Sequence, residues 1–334
     1  MQGLTNLEGI AIMSKSKQSG ITLKAEKKQA ISDATRDAIV THLVTLRADG
    51  YGADKYVSPF LNLSGQLSGA SGKPYRGMNQ LRLAMASAAA GHSGQRWYTV
   101  GHAFNRNADL AKRPPVAAML LKKGSKAMPV VFSEPTTYIK ENDQGEKETK
   151  SLWRTFYFNV YNESQFKPEL VFFPETETIK DDNDPIAHAD QFFANVNATV
   201  EVSHGDACYI PSRNVIRMTP LDECRSTADY YATLAHEHVH WTGGKDQLGR
   251  LNTSPLVNRK AYAFEELVAE LGAAFVMNVL DIHGTHANHA CYIDSWIKLL
   301  SDESKALDQA ARYANSAVNY LHQLQPDTVD VIAA

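Results

Sequence analysis

The sequence predicts an α+β protein of two domains. The length, 334 residues, corresponds to about two units at ~100–200 residues per domain. Charge divides the chain: residues up to 170 carry 23 basic and 14 acidic side chains, net +9, and the rest carry 11 and 23, net −12. Helical and strand-like runs occur in both parts. A composition of 43% hydrophobic and 21% charged residues excludes a disordered or fibrous chain. No apolar run approaches the ~18 residues of a membrane helix.

Taken in order, residues 1–29 are polar, end in the basic cluster Lys24, Lys27 and Lys28, and are expected to form a mobile tail. Ile31, Ala34, Ile39, Leu43, Val44 and Leu46 predict a helix from Ala30 to Arg47. A Ser/Gly-rich loop around Gly65, Gly69 and Gly72 precedes a Leu/Met/Ala-rich helix, Met78–Ala90. Strands are expected at Met128–Phe132, Thr137–Lys140 and Trp153–Val160, the last two joined as a hairpin through the charged stretch 141–150. Asp181–Pro185 lies in the expected linker, residues 171–185. A helix at Ala187–Val196 and short strands at Thr199–Glu201, Ala207–Ile210 and Val215–Met218 follow, then three long helices.

Residues 236–240 read His-Glu-His-Val-His, an HExxH pattern. On a helix, His236 and His240 share a face and can turn nitrogens toward one ion, while Glu237 can reach the attacking water as general base. The alternation His236, His238, His240 would instead line one face of a strand. The flanks favour the helix: Ser226 is a suitable N-cap, Asp229 an acidic first turn, and Gly243-Gly244 a stop. His238 should then point away from the ion. A third ligand is expected on the next helix, Ala261–Leu280, where Glu266 and Glu270 lie one turn apart among alanines. Glu266 is assigned to the metal and Glu270 to orienting a ligand histidine. The reverse assignment and a role for Glu265 stay open. His283, His286 and His289, near Cys291, have no carboxylate or Cys pair to complete a second site. Cys208, Cys224 and Cys291 are expected as free thiols in a reducing cytoplasm.

The basic part interleaves cations with aromatics: Tyr75-Arg76 with Asn79 and Arg82, Arg96-Trp97, Lys122-Lys123 with Lys126, and Arg154 beside Phe156 and Tyr157. Cations meet phosphates and rings meet unstacked bases, so these are the candidate single-stranded DNA contacts. A phosphate-cradling glycine loop is absent from the sequence, which argues against nucleotide hydrolysis.

The segments GKPYRGMNQLRLA (72–84), RWYTV (96–100), LLKKGSKAMPVVF (120–132), RTFYFNVYNESQF (154–166), YYATLAHEHVHWTG (230–243) and YAFEELVAELGAAF (262–275) resemble ArdC-type antirestriction proteins, whose N-terminal domain also occurs in TraC-type plasmid primases. The resemblance implies a single-stranded DNA-binding domain, residues 30–170, and a zincin-like metallopeptidase domain, residues 186–325. It implies zinc as the cofactor, with manganese or another divalent ion as the alternative. The implied role is protection of a mobile element's entering DNA from host restriction. The implied partners are single-stranded DNA and an unknown protein substrate or restriction component, in the cytoplasm and without membrane attachment. The alternatives are a DNA-coating protein with a structural metal and a primase accessory protein. The family pattern has an apolar residue where His238 stands. Tyr230 or Tyr231 is a candidate for stabilising an oxyanion.

Overall fold

The computed structural model describes residues 5–48, 65–105, 120–141, 147–168, 186–251, 259–282 and 292–326. The expected linker, Lys112-Arg113, His283, His286, His289 and Cys291 lie outside the described residues.

The chain is α+β, with two sheets among the described residues. Helix α1 spans Thr5–Ala48, so the helix expected from Ala30 starts earlier and residues 5–29, read as a tail, lie on it. Ile39 and Leu43 enter the main core, and the Ser32 hydroxyl donates to Asp308 at 2.5 Å. Strand β1 (Leu67–Ser68), helix α2 (Gly77–Ala90), strand β2 (Arg96–Tyr98) and helix α3 (Val100–Asn105) follow. Strands β3 (Met128–Glu141) and β4 (Lys147–Asn162) form the hairpin. The two strands expected between 128 and 140 are thus one. The order in this sheet is β1-β2-β4-β3. Met128 pairs with Val160 at the hairpin's root and Glu141 with Lys147 at its far end. At the root, on the side facing α2, Val130 and Val160 pack with Leu83, Tyr75 and Trp97, and Phe132 lies partly buried against them.

Helix α4 (Ala187–Val196) leads to β5 (Thr199–Val202), β6 (Cys208–Ile210) and β7 (Val215–Met218) in the order β5-β7-β6. Central β7 buries Val215, Ile216 and Met218 against the helices, leaving β6 as an edge. Among the described residues the expected three C-terminal helices are four: α5 (Thr227–Thr242), α6 (Arg259–Val279), α7 (Ile293–Asp302) and α8 (Ala306–Gln323). Helix α6 is apolar on nearly every side and is surrounded: Leu267, Val268, Leu271, Ala274 and Met277 are all inaccessible to solvent. It packs on α5 so closely that a Cβ added at Gly272 would meet Val239 Cγ2 at 2.6 Å. Among the described residues no helix is long and apolar enough to cross a membrane.

Candidate metal centre

Helix α5 begins where its sequence says: the Ser226 hydroxyl accepts from the Asp229 amide at 3.1 Å. It ends at Gly243, whose amide returns to the His240 carbonyl at 2.8 Å. Within it, His236 and His240 turn Nε2 atoms toward one point, 3.1 Å apart. Glu266 of α6 completes the group, with Oε2 at 3.5 Å from His236 Nε2 and Oε1 at 3.6 Å from His240 Nε2. The three residues' ligand atoms lie within 4.8 Å of one another.

Each imidazole backs onto another carboxylate. His236 Nδ1 is 3.5 Å from Glu270 Oε2, and His240 Nδ1 is 3.2 Å from Glu265 Oε1. In the neutral tautomer with Nδ1–H turned to its carboxylate, each ring presents an Nε2 lone pair to the other. Two facing acceptors repel unless a cation lies between them, so the donor set fits a divalent metal. The charges agree: the buried Glu237, Glu265, Glu266 and Glu270 converge here, with the guanidinium of Arg250 against Glu265. Burial alone would lower His236, but its contacts with Glu266 and Glu270 raise it to about 9. Burial would raise the Glu266 carboxyl, but His240 and His236 hold it well below the usual carboxylate range.

Glu237 lies on the cleft side, and its Oε2 accepts from the Tyr209 amide of edge strand β6 at 2.6 Å. Both residues line a cleft of about 870 Å³ running past the histidines to Tyr262, Phe264, Tyr292 and Tyr313. His238 turns the other way. Its ring packs 4.7 Å from that of Phe193, its Nδ1 meets the Leu234 carbonyl at 2.7 Å, and its Nε2 has no partner among the described residues. Burial pushes its pKa down to about 4. Tyr231 cannot serve the site: its hydroxyl donates to Asp190 at 2.7 Å on the far side of the helix. Neither Tyr230 nor Tyr231 lines the cleft, whereas Tyr262 and Tyr292 do, with hydroxyls 2.8 Å apart.

Arg250, the Glu265 contact with His240 and the Tyr262–Tyr292 pair are what sequence reasoning missed. Tyr262, one turn before Glu266 on the same helix, could have been found from that spacing. Arg250 had no local signal.

Four candidate DNA-contact residues are instead part of the fold. The Asn79 side chain donates to the Val131 carbonyl at 2.8 Å and accepts from its amide at 2.9 Å, so it stands in for a strand partner of β3. Arg82 is buried against Thr35, Asn79 and the Pro129 carbonyl. Trp97 donates to Gln66 at 2.6 Å, and Tyr75 packs beneath the hairpin root. Cation–aromatic interleaving in the sequence did not distinguish these tethers from surface groups. Arg76 and Arg96 are half-buried, while Lys122, Lys123, Lys126 and Arg154 are exposed. Phe156 and Phe158 are also exposed, near-parallel at 6.5 Å, on the same face of β4 as Arg154.

Residues 43–162 match the family described as the N-terminal domain of anti-restriction factor ArdC, and residues 187–313 match the zincin-like metallopeptidase family. The chain is similar to DNA primase TraC of Escherichia coli, at 31% identity over 265 residues, 75% of this chain. It spans only 17% of that primase's length. The metal-free crystal structure of the antirestriction ArdC protein from plasmid R388 superposes with a TM-score of 0.64 at 29% identity, covering 88% of this chain and 97% of that one. The Mn(II)-bound structure of the same protein gives a TM-score of 0.60 at 27% identity, with the same coverage.

Proposed function

We propose that this chain, ArdC-like in its N-terminal domain and zincin-like in its C-terminal one, protects the incoming DNA of a mobile element from host restriction, binding single strands through its basic half and hydrolysing a protein substrate at the HExxH centre. The observation that carries the enzymatic part is the convergence of His236, His240 and Glu266 beside a cleft that Glu237 also lines.

In this reading His236, His240 and Glu266 hold zinc, with manganese as the alternative suggested by the ArdC relative. The bound ion supplies Lewis-acid polarisation of a peptide carbonyl and of a water. Glu237 takes the water's proton and passes it to the leaving amine, with its carboxylate kept aimed by the Tyr209 amide. Glu270 and Glu265 hold the two imidazoles by Nδ1, which leaves Nε2 of each as the ligand atom. Tyr262 and Tyr292 line the cleft, and their paired hydroxyls are the candidate donors to a developing oxyanion. The exposed Lys122, Lys123, Lys126 and Arg154 supply charge for phosphates, and Phe156 and Phe158 supply ring faces for bases.

A second reading is favoured by the same Tyr209 hydrogen bond, which occupies one oxygen of the general base: the metal is structural and protection comes from coating the entering strand. Glu237→Gln separates the two. The variant should bind metal like the parent protein and lose protection of transferred DNA against a restricting host. Full protection by a metal-loaded Glu237→Gln protein would refute proteolysis and leave the coating role.

A further inference from the structure

Arg250 stands just after α5, its side chain only 9% exposed, and its guanidinium works on both ligand-bearing helices. Toward α6, Nε donates to Glu265 Oε2 at 2.9 Å and Nη2 to Oε1 at 2.8 Å, a two-pronged grip on one carboxylate. Toward α5, Nη1 donates to the Thr242 hydroxyl at 2.9 Å and Nη2 to the Val239 carbonyl. That carbonyl belongs to the last turn of α5, where intrahelical donors run out. Thr242 closes the loop by donating to the same carbonyl at 2.6 Å. The gripped carboxylate is the one that meets His240 Nδ1 at 3.2 Å.

We infer that Arg250 and Glu265 form a positioning clamp for the metal ligand His240, joining the end of α5 to α6 so that the imidazole keeps its Nδ1–H on Glu265 and its Nε2 lone pair on the ion. The inference rests on the reading of His236, His240 and Glu266 as metal ligands. The chemistry requires both members. Glu265 adjoins Glu266 in sequence and shares the site with Glu270, so without a cation of its own it would be repelled from this position. A lysine would supply charge but not the planar fork that spans Glu265, Thr242 and Val239 together. Neither Arg250 nor Glu265 touches the ion in this arrangement. They act on where His240 points.

The test uses the full chain with zinc or cobalt(II) as probe. Arg250→Lys and Glu265→Gln should each weaken zinc binding by ~10–100-fold in a competition titration against a chromophoric chelator. Each should also shift the visible absorption bands of the cobalt(II) protein, because the imidazole has rotated. Val318→Ala, in the core on α8 and outside the cleft, is the control for general loosening. It should lower the melting temperature while leaving zinc affinity and the cobalt spectrum unchanged. Affinities within about threefold of the parent with an unaltered cobalt spectrum in Arg250→Lys and Glu265→Gln would overturn the clamp. So would an equal loss in Val318→Ala. If the parent protein bound no zinc and His240→Ala behaved identically, the ligand assignment itself would fall and the clamp with it.

Discussion

Gly272 of α6 lies tight against Val239 of α5, the helix that carries His236 and His240, and replacing it with alanine tests how much the site depends on that approach. A Cβ there would lie 2.6 Å from Val239 Cγ2 and 2.8 Å from Cγ1. Carbon atoms settle at ~3.5–4.0 Å, so α6 must move off α5 by about 1 Å or Val239 must be displaced. Val239 has no room to move, being fully buried on a helix whose β-branched residues hold one rotamer. Overpacking of this kind costs ~1–3 kcal/mol, and alanine's better helix propensity returns about 1 kcal/mol. The net loss is about 1 kcal/mol, or ~4 °C in the melting temperature of a domain this size. The effect on the metal should be larger. Val239 precedes His240 in sequence, and Gly272 is six residues beyond Glu266 on the other helix. A shift of about 1 Å far exceeds the ~0.2 Å tolerance of metal–ligand distances. Zinc affinity in Gly272→Ala should therefore fall at least tenfold by competition titration, a change of ~1.4 kcal/mol or more. Adding Val239→Ala removes the clashing methyls and should restore affinity, even though the cavity lowers stability further. Unchanged zinc binding in Gly272→Ala, or no recovery in the double variant, would refute the idea that this contact sets the ligand spacing.

Three other outcomes are expected. Replacing His238 by leucine removes a ring nitrogen that is buried without a partner among the described residues, so stability by calorimetry should stay level or rise by about 1 kcal/mol, with zinc affinity unchanged. A marked loss of zinc from His238→Leu would place that histidine in the site after all. For DNA, replacing Lys122, Lys123 and Lys126 by alanine should flatten the dependence of log affinity on log salt by about 2. Leucine at Phe156 and Phe158 should instead weaken single-strand binding by ~1–3 kcal/mol per lost stack at unchanged slope. A salt slope that ignores the three lysines would remove them from the phosphate path.

The local grammar of α5 was fully readable. An N-cap serine, an acid in the first turn, HExxH spacing and a glycine pair determine its start, its end and which histidines share a face, and all of these are short-range properties of the backbone. The hairpin was readable too, though its first strand is longer than expected. Pro135 and Glu134 interrupt the apolar run, but β3 is an edge strand that tolerates both. The basic segment misled in a specific way. Asn79, Arg82, Tyr75 and Trp97 have the residue types of a nucleic-acid surface, yet each satisfies or packs a group that only the folded sheet brings near.

What the sequence determined by itself about this protein is the division into a basic and an acidic part, the helix that carries His236, Glu237 and His240, and the neighbouring helix that carries the paired glutamates. Each depends on spacing within a few turns. Only the tertiary structure decided how the carboxylates are shared out: Glu266 facing both Nε2 atoms, Glu270 behind His236, Glu265 behind His240. It also decided that Arg250 anchors the last of these, and that the Tyr209 amide of an edge strand meets Glu237. The reason is geometric: three adjacent or near-adjacent glutamates are alike to any pattern along one helix, and they become distinct only when a second helix approaches at a distance that a single glycine permits.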